Sequence, residues 1–290
     1  FSSSEYKNEH KKNFKNKYEF YYFIKNKNNK KETHSFVFKT CNSIGGLGDN
    51  ANEIKRLFLE NEYINDLIKS TKIFSATIMA HTRWASVGAV NIENAHPTVL
   101  TNDSKNNKNQ ILSLLNGDIY NYKDVINSSK EEHLEIIKKS ECTNDSLAIP
   151  SYLLGKDVID VEVASHMSTN FIGSFAIAIQ QTIDPEKIIL LKKGIQGLYI
   201  GFSYDGLMFA SDVYGLVESC KYFIPIETDT CFEINAINKC SKENLNLSIL
   251  DSKSNKYKDI DKDNLQVTNI TTRDIDKRGY KHFLEKEIYE

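Results

Sequence analysis

The chain has 290 residues, 40% of them hydrophobic, which is enough to bury the core of one large or two modest domains. A net charge of −2 gives no basic excess of the kind that binds nucleic acid or an anionic membrane, and no apolar run approaches the roughly 20 residues of a spanning helix, so we expect neither partner. The cysteine count, five without a CxxC pair, indicates a reducing, cytoplasmic location rather than a disulfide framework.

The chain divides by composition into three parts. Residues 1–34 are rich in Lys and Asn and predict a solvated tail or insertion with little core. Residues 35–250 form the predicted domain, and residues 251–290 predict a polar linker followed by the start of a helix. Apolar runs rich in Val, Ile, Phe and Leu predict strands. These runs are 35–40, 73–84, 111–117, 171–180, 187–194, 197–203, 206–211 and 231–235.

Helices and loops separate these predicted strands. The spacing of apolar residues predicts helical structure over 52–70, and residues 145–155 predict another helix. Polar stretches at 102–110 and 251–264 predict surface loops, and the GGLGD segment at 45–49 predicts a turn. Because the strands and helices show no regular βαβ alternation, the pattern favours an α+β fold of stacked sheets over a doubly wound parallel sheet.

Two segments place polar groups directly after predicted strands. Arg83 follows one strand, where its planar guanidinium could bind a carboxylate, and Trp84 beside it could cover a ligand. Asn116 and Gly117 follow another, where an amide and an approachable backbone N–H could stabilise an oxyanion, as acyl transfer requires. An Asn-Gly pair is also the commonest short hairpin turn, and these residues alone leave both interpretations open.

The segment HTRWASVG at 81–88 resembles the HTRWATHG motif of glutamine–fructose-6-phosphate aminotransferases. NIENAHP, LLNGDIYNY and TNDS follow in that family's order, and the resemblance extends from about residue 35 to residue 290. It implies an N-terminal-nucleophile hydrolase fold, a four-layer αββα sandwich of two antiparallel sheets.

The same resemblance implies a function and a set of partners. The domain would hydrolyse L-glutamine to glutamate and ammonia without a cofactor. The ammonia would pass to a sugar-phosphate isomerase domain C-terminal of Glu290, for transfer to a ketose phosphate such as fructose 6-phosphate in hexosamine synthesis. A homo-oligomer is the expected assembly.

The resemblance also assigns the charged groups of a glutamine pocket. Arg83 would bind the α-carboxylate and Asp145 the α-ammonium, so that their opposite charges suit a zwitterion. Each residue has a structural alternative. Arg83 could form a surface ion pair, and Asp145 could cap the helix that follows it.

The remaining implied site residues concern the reacting amide. Asn116 and Gly117 would form the oxyanion hole. Trp84 would close over the site, and Ser86 would add a hydroxyl near the substrate carboxylate, where the family usually has Thr.

The sequence departs from the family at the nucleophile, which is an N-terminal cysteine in a CGIVG start that has no match here. All five cysteines are internal, so none has the free α-amine that serves as base. Either the N-terminal strand is missing from this chain, which we expect, or the protein is a non-catalytic glutamine-binding or regulatory module. Val87, Leu115 and Tyr120 replace the family's His, His and Glu. His96 and His282 lack companions at ligand spacing, and we expect no metal site.

Overall fold

The computed structural model describes most of the chain. The described residues are 5–6, 10–14, 17–25, 32–41, 48–71, 73, 76–83, 87–104, 107–156, 158–203, 206–235, 248–251, 256–259, 265–267, 270 and 279–289.

Fifteen strands and seven helices lie within these residues. The strands are β1 (Glu5–Tyr6), β2 (His10–Phe14), β3 (Lys17–Lys25), β4 (Glu32–Thr40), β5 (Thr98–Ser104), β6 (Asn107–Ile119), β7 (Gly173–Gln181), β8 (Asp184–Lys193), β9 (Tyr199–Phe202), β10 (Leu207–Ala210), β11 (Tyr222–Pro225), β12 (Thr230–Asn235), β13 (Ser248–Asp251), β14 (Lys256–Asp259) and β15 (Gln266–Val267). The helices are α1 (Asp49–Leu59), α2 (Glu62–Ser70), α3 (Tyr122–Asn127), α4 (Glu131–Lys139), α5 (Ala148–Leu153), α6 (Val161–Asn170) and α7 (Phe283–Tyr289), with short 3-10 turns at Asp145–Leu147 and Val213–Gly215.

Two antiparallel sheets form the central sandwich. One has seven strands in the order β14-β13-β12-β8-β7-β6-β5, and the other has four in the order β10-β9-β11-β15. Every strand pair in the described residues is antiparallel. The expected α+β class with two antiparallel sheets is therefore confirmed.

The alternation of side chains along each strand divides the interior into two cores. One face of the seven-stranded sheet packs against helices α3–α6 through residues such as Ile111 and Phe175. The other face packs against the four-stranded sheet through residues such as Leu114, Leu190 and Phe232. Because both faces are covered, the central residues of β7 and β8 are buried continuously rather than alternately.

A third antiparallel sheet contains β1 to β4, with β3 paired to β1, β2 and β4. The first 34 residues, expected to form a solvated segment, therefore include strands that pair with the start of the domain. Helix α1 packs against β4, where the Phe38 and Phe58 rings meet edge to face at 6.3 Å.

Several elements differ from the sequence-based expectations. The predicted helix over 52–70 is two helices, because the side chain of Asn61 accepts a hydrogen bond from Ile64 N and starts α2 anew. The predicted loops at 102–110 and 251–264 contain strand residues, since β5, β6 and β14 extend into them. Polar side chains are tolerated there because cross-strand hydrogen bonds satisfy the backbone whatever the side chain.

The predicted strand at 73–84 is wrong within its described residues, which have no regular secondary structure. Exposure alternates along this segment, and Ile78 is 79% exposed while Met79 packs against the core between the sheets. The less exposed side chains are those of Thr77, Met79, His81 and Arg83, and no ladder pairing is described for this segment. None of the helices in the described residues is long and apolar enough to cross a membrane.

Candidate active site

Strand β6 extends beyond its neighbour β5 and so has a free edge at its C-terminal end. Strand β5 begins at Thr98, which pairs with Ser113, whereas β6 continues to Ile119. Residues 114–119 pair with β7 on one side and face no described strand on the other. Backbone groups on that second side must find side chains, water or a ligand.

The direction of each backbone group follows from the register. The hydrogen bond from Tyr120 N to Ile172 O continues the β6–β7 ladder, so even-numbered residues of this segment direct their N–H and C=O groups toward β7. In an antiparallel pair successive residues alternate, and the backbone groups of Leu115, Gly117 and Ile119 therefore point to the free edge.

A side chain bonds one backbone group on each of the outer two of these three residues. The Nε2–H of His81 donates to the Leu115 carbonyl at 2.8 Å, and the Ile119 N–H donates to Asp145 Oδ2 at 2.9 Å. Gly117 lies between them; the same alternation directs its N–H to the free edge, and no described side chain accepts a hydrogen bond from it. The Gly117 N–H is thus flanked by two backbone groups that already have hydrogen-bond partners, the Leu115 carbonyl and the Ile119 N–H.

Gly117 requires the absence of a side chain. Its φ is +110°, and a Cβ would lie 2.1 Å from the Ser174 carbonyl oxygen. Asn116 beside it is half-buried, lies on the strand face that turns toward the smaller sheet, and makes no side-chain hydrogen bond within the described residues. Both residues lie inside β6, so the hairpin-turn alternative is excluded. The site residues Trp84 and Ser86 lie outside the described residues.

The guanidinium of Arg83 is held by its own loop. It donates from Nη1 to the Ala89 carbonyl at 3.2 Å and from Nη2 to the Val87 carbonyl. Arginine has five N–H donors, so this anchoring leaves others for a ligand. The replacement of the family's His by Val87 does not alter the contact, because the backbone carbonyl makes it.

The carboxylate of Asp145 fastens β6 to the turn that starts at this residue. It accepts a hydrogen bond from the Ile119 N–H at 2.9 Å. Burial raises the pKa of this carboxyl, and that hydrogen bond partly offsets the rise. The 3-10 turn begins at Asp145 itself, with Asn144 as its N-cap and no side-chain cap hydrogen bond, so the capping alternative considered for Asp145 is wrong.

A fully buried asparagine joins the Arg83 loop to the Asp145 segment. Asn94 is 0% exposed, and its Nδ2 donates to the Ala89 carbonyl at 3.0 Å. Its Oδ1 accepts from the Thr143 N–H at 2.7 Å, and its own carbonyl accepts from Asn144 Nδ2 at 3.0 Å. The Asn94 side chain hydrogen-bonds to both the Arg83 loop and the Asp145 segment. It therefore fixes Arg83 and Asp145, the residues proposed to bind the two ends of a zwitterion, relative to each other.

Two histidines stack beside this network. The rings of His81 and His96 lie 4.1 Å apart, and the Nδ1 atom of each is buried without a partner among the described residues. Burial lowers the pKa of both, that of His96 to about 3, with the neighbouring His81, Lys39 and Arg83 adding to the effect. Both rings are therefore neutral near pH 7. No group of three metal-ligating side chains occurs in the described part of the chain.

The described cysteines are thiols rather than thiolates. Cys142 is buried and donates to Asn144 Oδ1 at 3.1 Å, and burial raises its pKa although Lys39 and Arg83 oppose the rise. Burial also raises the thiol pKa of Cys41, Cys220 and Cys231. None of these four has the lowered pKa of an activated nucleophile, and Cys240 lies outside the described residues.

The site also contains residues to which the sequence assigned no role. His81, Asn94 and Asn144 lie within the family-like segments HTRWASVG, NIENAHP and TNDS, so the motifs contained a signal for them. Their task is positional, because each hydrogen-bonds backbone rather than facing open space.

Comparison with known proteins defines the class of this site. Residues 96–218 match the family model described as "Glutamine amidotransferase domain". A glutamine–fructose-6-phosphate aminotransferase of Bacteroides thetaiotaomicron is 29% identical over 227 residues, 76% of this chain and 33% of that protein. The corresponding protein of Buchnera aphidicola is 28% identical over 256 residues, 83% of this chain and 37% of that protein.

Residues 96–218 therefore resemble a glutamine amidotransferase domain, and the chain is similar to part of the glutamine–fructose-6-phosphate aminotransferases. It spans about a third of the length of these two relatives. Among solved structures, the glutamine phosphoribosylpyrophosphate amidotransferase of B. subtilis is similar with a TM-score of 0.41 and 18% identity, over 58% of this chain and 35% of that one.

The Asn94 network makes a prediction about stability. Asn94→Ala leaves the Thr143 N–H without its partner and removes one of the two donors to the Ala89 carbonyl, so we expect the free energy of unfolding to fall by about 2–4 kcal/mol. Urea unfolding measures this. Asn65→Ala, which removes an exposed bond to the Leu59 carbonyl, is the matched control and should cost less than about 1 kcal/mol. Equal losses in the two variants would contradict the network's role.

The histidine pair predicts an acid-sensitive fold. In the unfolded chain His96 has a pKa near 6.5, whereas burial lowers it to about 3 in the folded protein, so the unfolded state binds more protons below pH 6.5. Stability should therefore decline as pH falls from 6.5 toward 3, with His96 contributing about 2 kcal/mol of loss between pH 7 and pH 5. Unfolding of wild type and His96→Gln at several pH values measures the difference. Identical pH dependence in both proteins would refute it.

Proposed function

We propose that this domain binds L-glutamine at the free edge of β6 and hydrolyses its side-chain amide to glutamate and ammonia. The observation that carries the proposal is the unpaired Gly117 N–H, which lies beside the uncommitted amide of Asn116. Attack of a nucleophile on the carboxamide carbon of glutamine places negative charge on the carboxamide oxygen. Two preorganised donors aimed at that oxygen stabilise the tetrahedral intermediate.

Recognition of the amino-acid end uses the residues that flank this edge. Arg83 is held by the Val87 and Ala89 carbonyls with further N–H donors left for the α-carboxylate. A carboxylate has about four acceptor positions, and the Ile119 N–H that donates to Asp145 leaves capacity for the α-ammonium. Trp84 as a cover and Ser86 as a hydroxyl donor complete the proposed pocket.

The wider role is proposed from the relatives. Their name describes amino transfer to fructose 6-phosphate, so the ammonia released here would pass to a sugar-phosphate isomerase domain C-terminal of Glu290. Such an enzyme would act in hexosamine synthesis, in the cytoplasm and as a homo-oligomer.

A second candidate function is a glutamine-binding module without hydrolysis. The specific observation in its favour is that burial raises the thiol pKa of all four described cysteines, so these residues do not supply the nucleophile. Both candidates require the same pocket. They differ in whether glutamine binding is followed by release of ammonia.

Calorimetric titration with L-glutamine tests the pocket. We expect wild type to bind and Arg83→Ala to bind roughly 10- to 100-fold more weakly, because a charge-assisted pair with the α-carboxylate is lost. Arg56→Ala is the matched control, since Arg56 pairs with Glu53 and Glu60 on the exposed surface of α1. Unchanged affinity in Arg83→Ala would refute the pocket.

An ammonia assay on the natural full-length protein then separates the two candidates. Release of ammonia from bound glutamine supports the glutaminase. Binding without release supports the module.

A further inference from the structure

Strand β6 has an acidic residue, Asp118, to which the proposed pocket assigns no role. Asp118 pairs with Ser174 of β7 and lies two residues beyond Asn116, with no irregularity in the register between them. Side chains alternate along a strand, so Asp118 and Asn116 lie on the same face of β6. This is the face that Leu114 turns toward the smaller sheet. Asp118 is half-buried there, roughly 7 Å along the strand from Asn116.

The hydrogen bond from Ile119 to Asp145 brings a second carboxylate close to Asp118. The nitrogen of Ile119 belongs to the peptide group that follows Asp118, so it lies roughly 2.4 Å from the Asp118 Cα atom. This nitrogen donates to Asp145 Oδ2 at 2.9 Å. The Asp145 oxygen is therefore within roughly 5.3 Å of the Asp118 Cα atom, which is close enough for one small group to contact both carboxylates.

The two carboxylates repel each other. The charge of Asp118 contributes to the raised pKa of Asp145, although burial is the largest cause of that rise. The three largest influences on this pKa are burial, the Ile119 N–H and Asp118, and none of them is a cation. Like charges at short range in a partly buried site disfavour ionisation of both groups. A cationic ligand group in contact with both carboxylates removes this repulsion.

We propose that Asp118 is a substrate-contacting residue that shares the α-ammonium group of glutamine with Asp145, and that it selects α-amino acids over carboxamides without an amine. This inference rests on the proposed glutamine pocket. An ammonium group has three N–H donors, and each charge-assisted contact to a carboxylate oxygen spans roughly 2.8 Å. Asn116 lies at the carboxamide end of the substrate and Asp118 at the ammonium end, so one face of β6 sets the direction in which glutamine binds.

The test is calorimetric titration of the natural full-length protein with L-glutamine and with glutaramate, which is glutamine without its α-ammonium group. We expect wild type to prefer glutamine. Asp118→Asn keeps the shape of the side chain and removes its charge, so it should bind glutamine roughly 10-fold more weakly with little change for glutaramate. Asp124→Asn, at an exposed position in the first turn of α3, is the matched control and should behave as wild type.

Arg83→Ala makes the outcomes distinguishable, because both ligands have the carboxylate that Arg83 is proposed to bind and both should weaken. An unchanged ratio of glutamine to glutaramate affinity in Asp118→Asn, alongside weakened binding in Arg83→Ala, would overturn the role of Asp118 and leave the pocket standing. Absence of glutamine binding by wild type would overturn both. Should Asp118→Asn melt well below wild type, Asp118→Ser provides the same comparison, and an unchanged ratio there would equally count against the inference.

Discussion

The site depends on one constraint, which is that strand β6 continues past the end of its neighbour and must satisfy the backbone groups on its free edge. His81 bonds the Leu115 carbonyl and Asp145 bonds the Ile119 N–H, and the Gly117 N–H lies on the same edge between these two bonds. An unpaired N–H at a strand edge destabilises the fold when it is buried away from water. It stabilises a complex when a ligand oxygen accepts a hydrogen bond from it. The same two side chains that complete the edge also determine where a ligand can bind.

The electrostatics of the site follow from the burial of cations beside this edge. Lys39 is buried, and burial lowers its pKa to about 8, while Arg83 lies close enough to oppose protonation of His96 and His81. Neutral histidines can then serve as hydrogen-bonding and packing groups without adding charge. An anionic group such as the carboxylate of an amino acid is the complement that this arrangement favours.

The sequence predicted the class of fold because strand and helix patterns in a buried sandwich are strong, as in the apolar runs that became β7 and β8. It could not predict how β6 would pair. Residues 102–110 are polar and indicated a loop, whereas residues 101–104 and 107–110 pair with each other as strand. Asn116 and Gly117 matched a turn as well as an oxyanion hole, and the register of β6 against β7 excludes the turn.

Buried polar residues were the hardest part of the site to predict. Asn94 is fully buried because its hydrogen bonds are all made within the fold, whereas composition places an asparagine at the surface. Asp118 lies within the family-like segment LLNGDIYNY, but its closeness to Asp145 depends on the hydrogen bond from the Ile119 N–H to that carboxylate. Trp84 and Ser86 lie outside the described residues, and their roles stay predictions from the resemblance.

The central claim is that the Gly117 N–H is free in the unliganded protein and meets the substrate oxygen. Substitution of Gly117 cannot test this, because any side chain would collide with the Ser174 carbonyl. Amide NMR during a titration with L-glutamine tests it directly. The account predicts a large, saturable shift of the Gly117 amide proton, with the Ile119 amide proton, which is already bonded to Asp145, nearly unchanged. Saturable binding that leaves the Gly117 amide unmoved would contradict it.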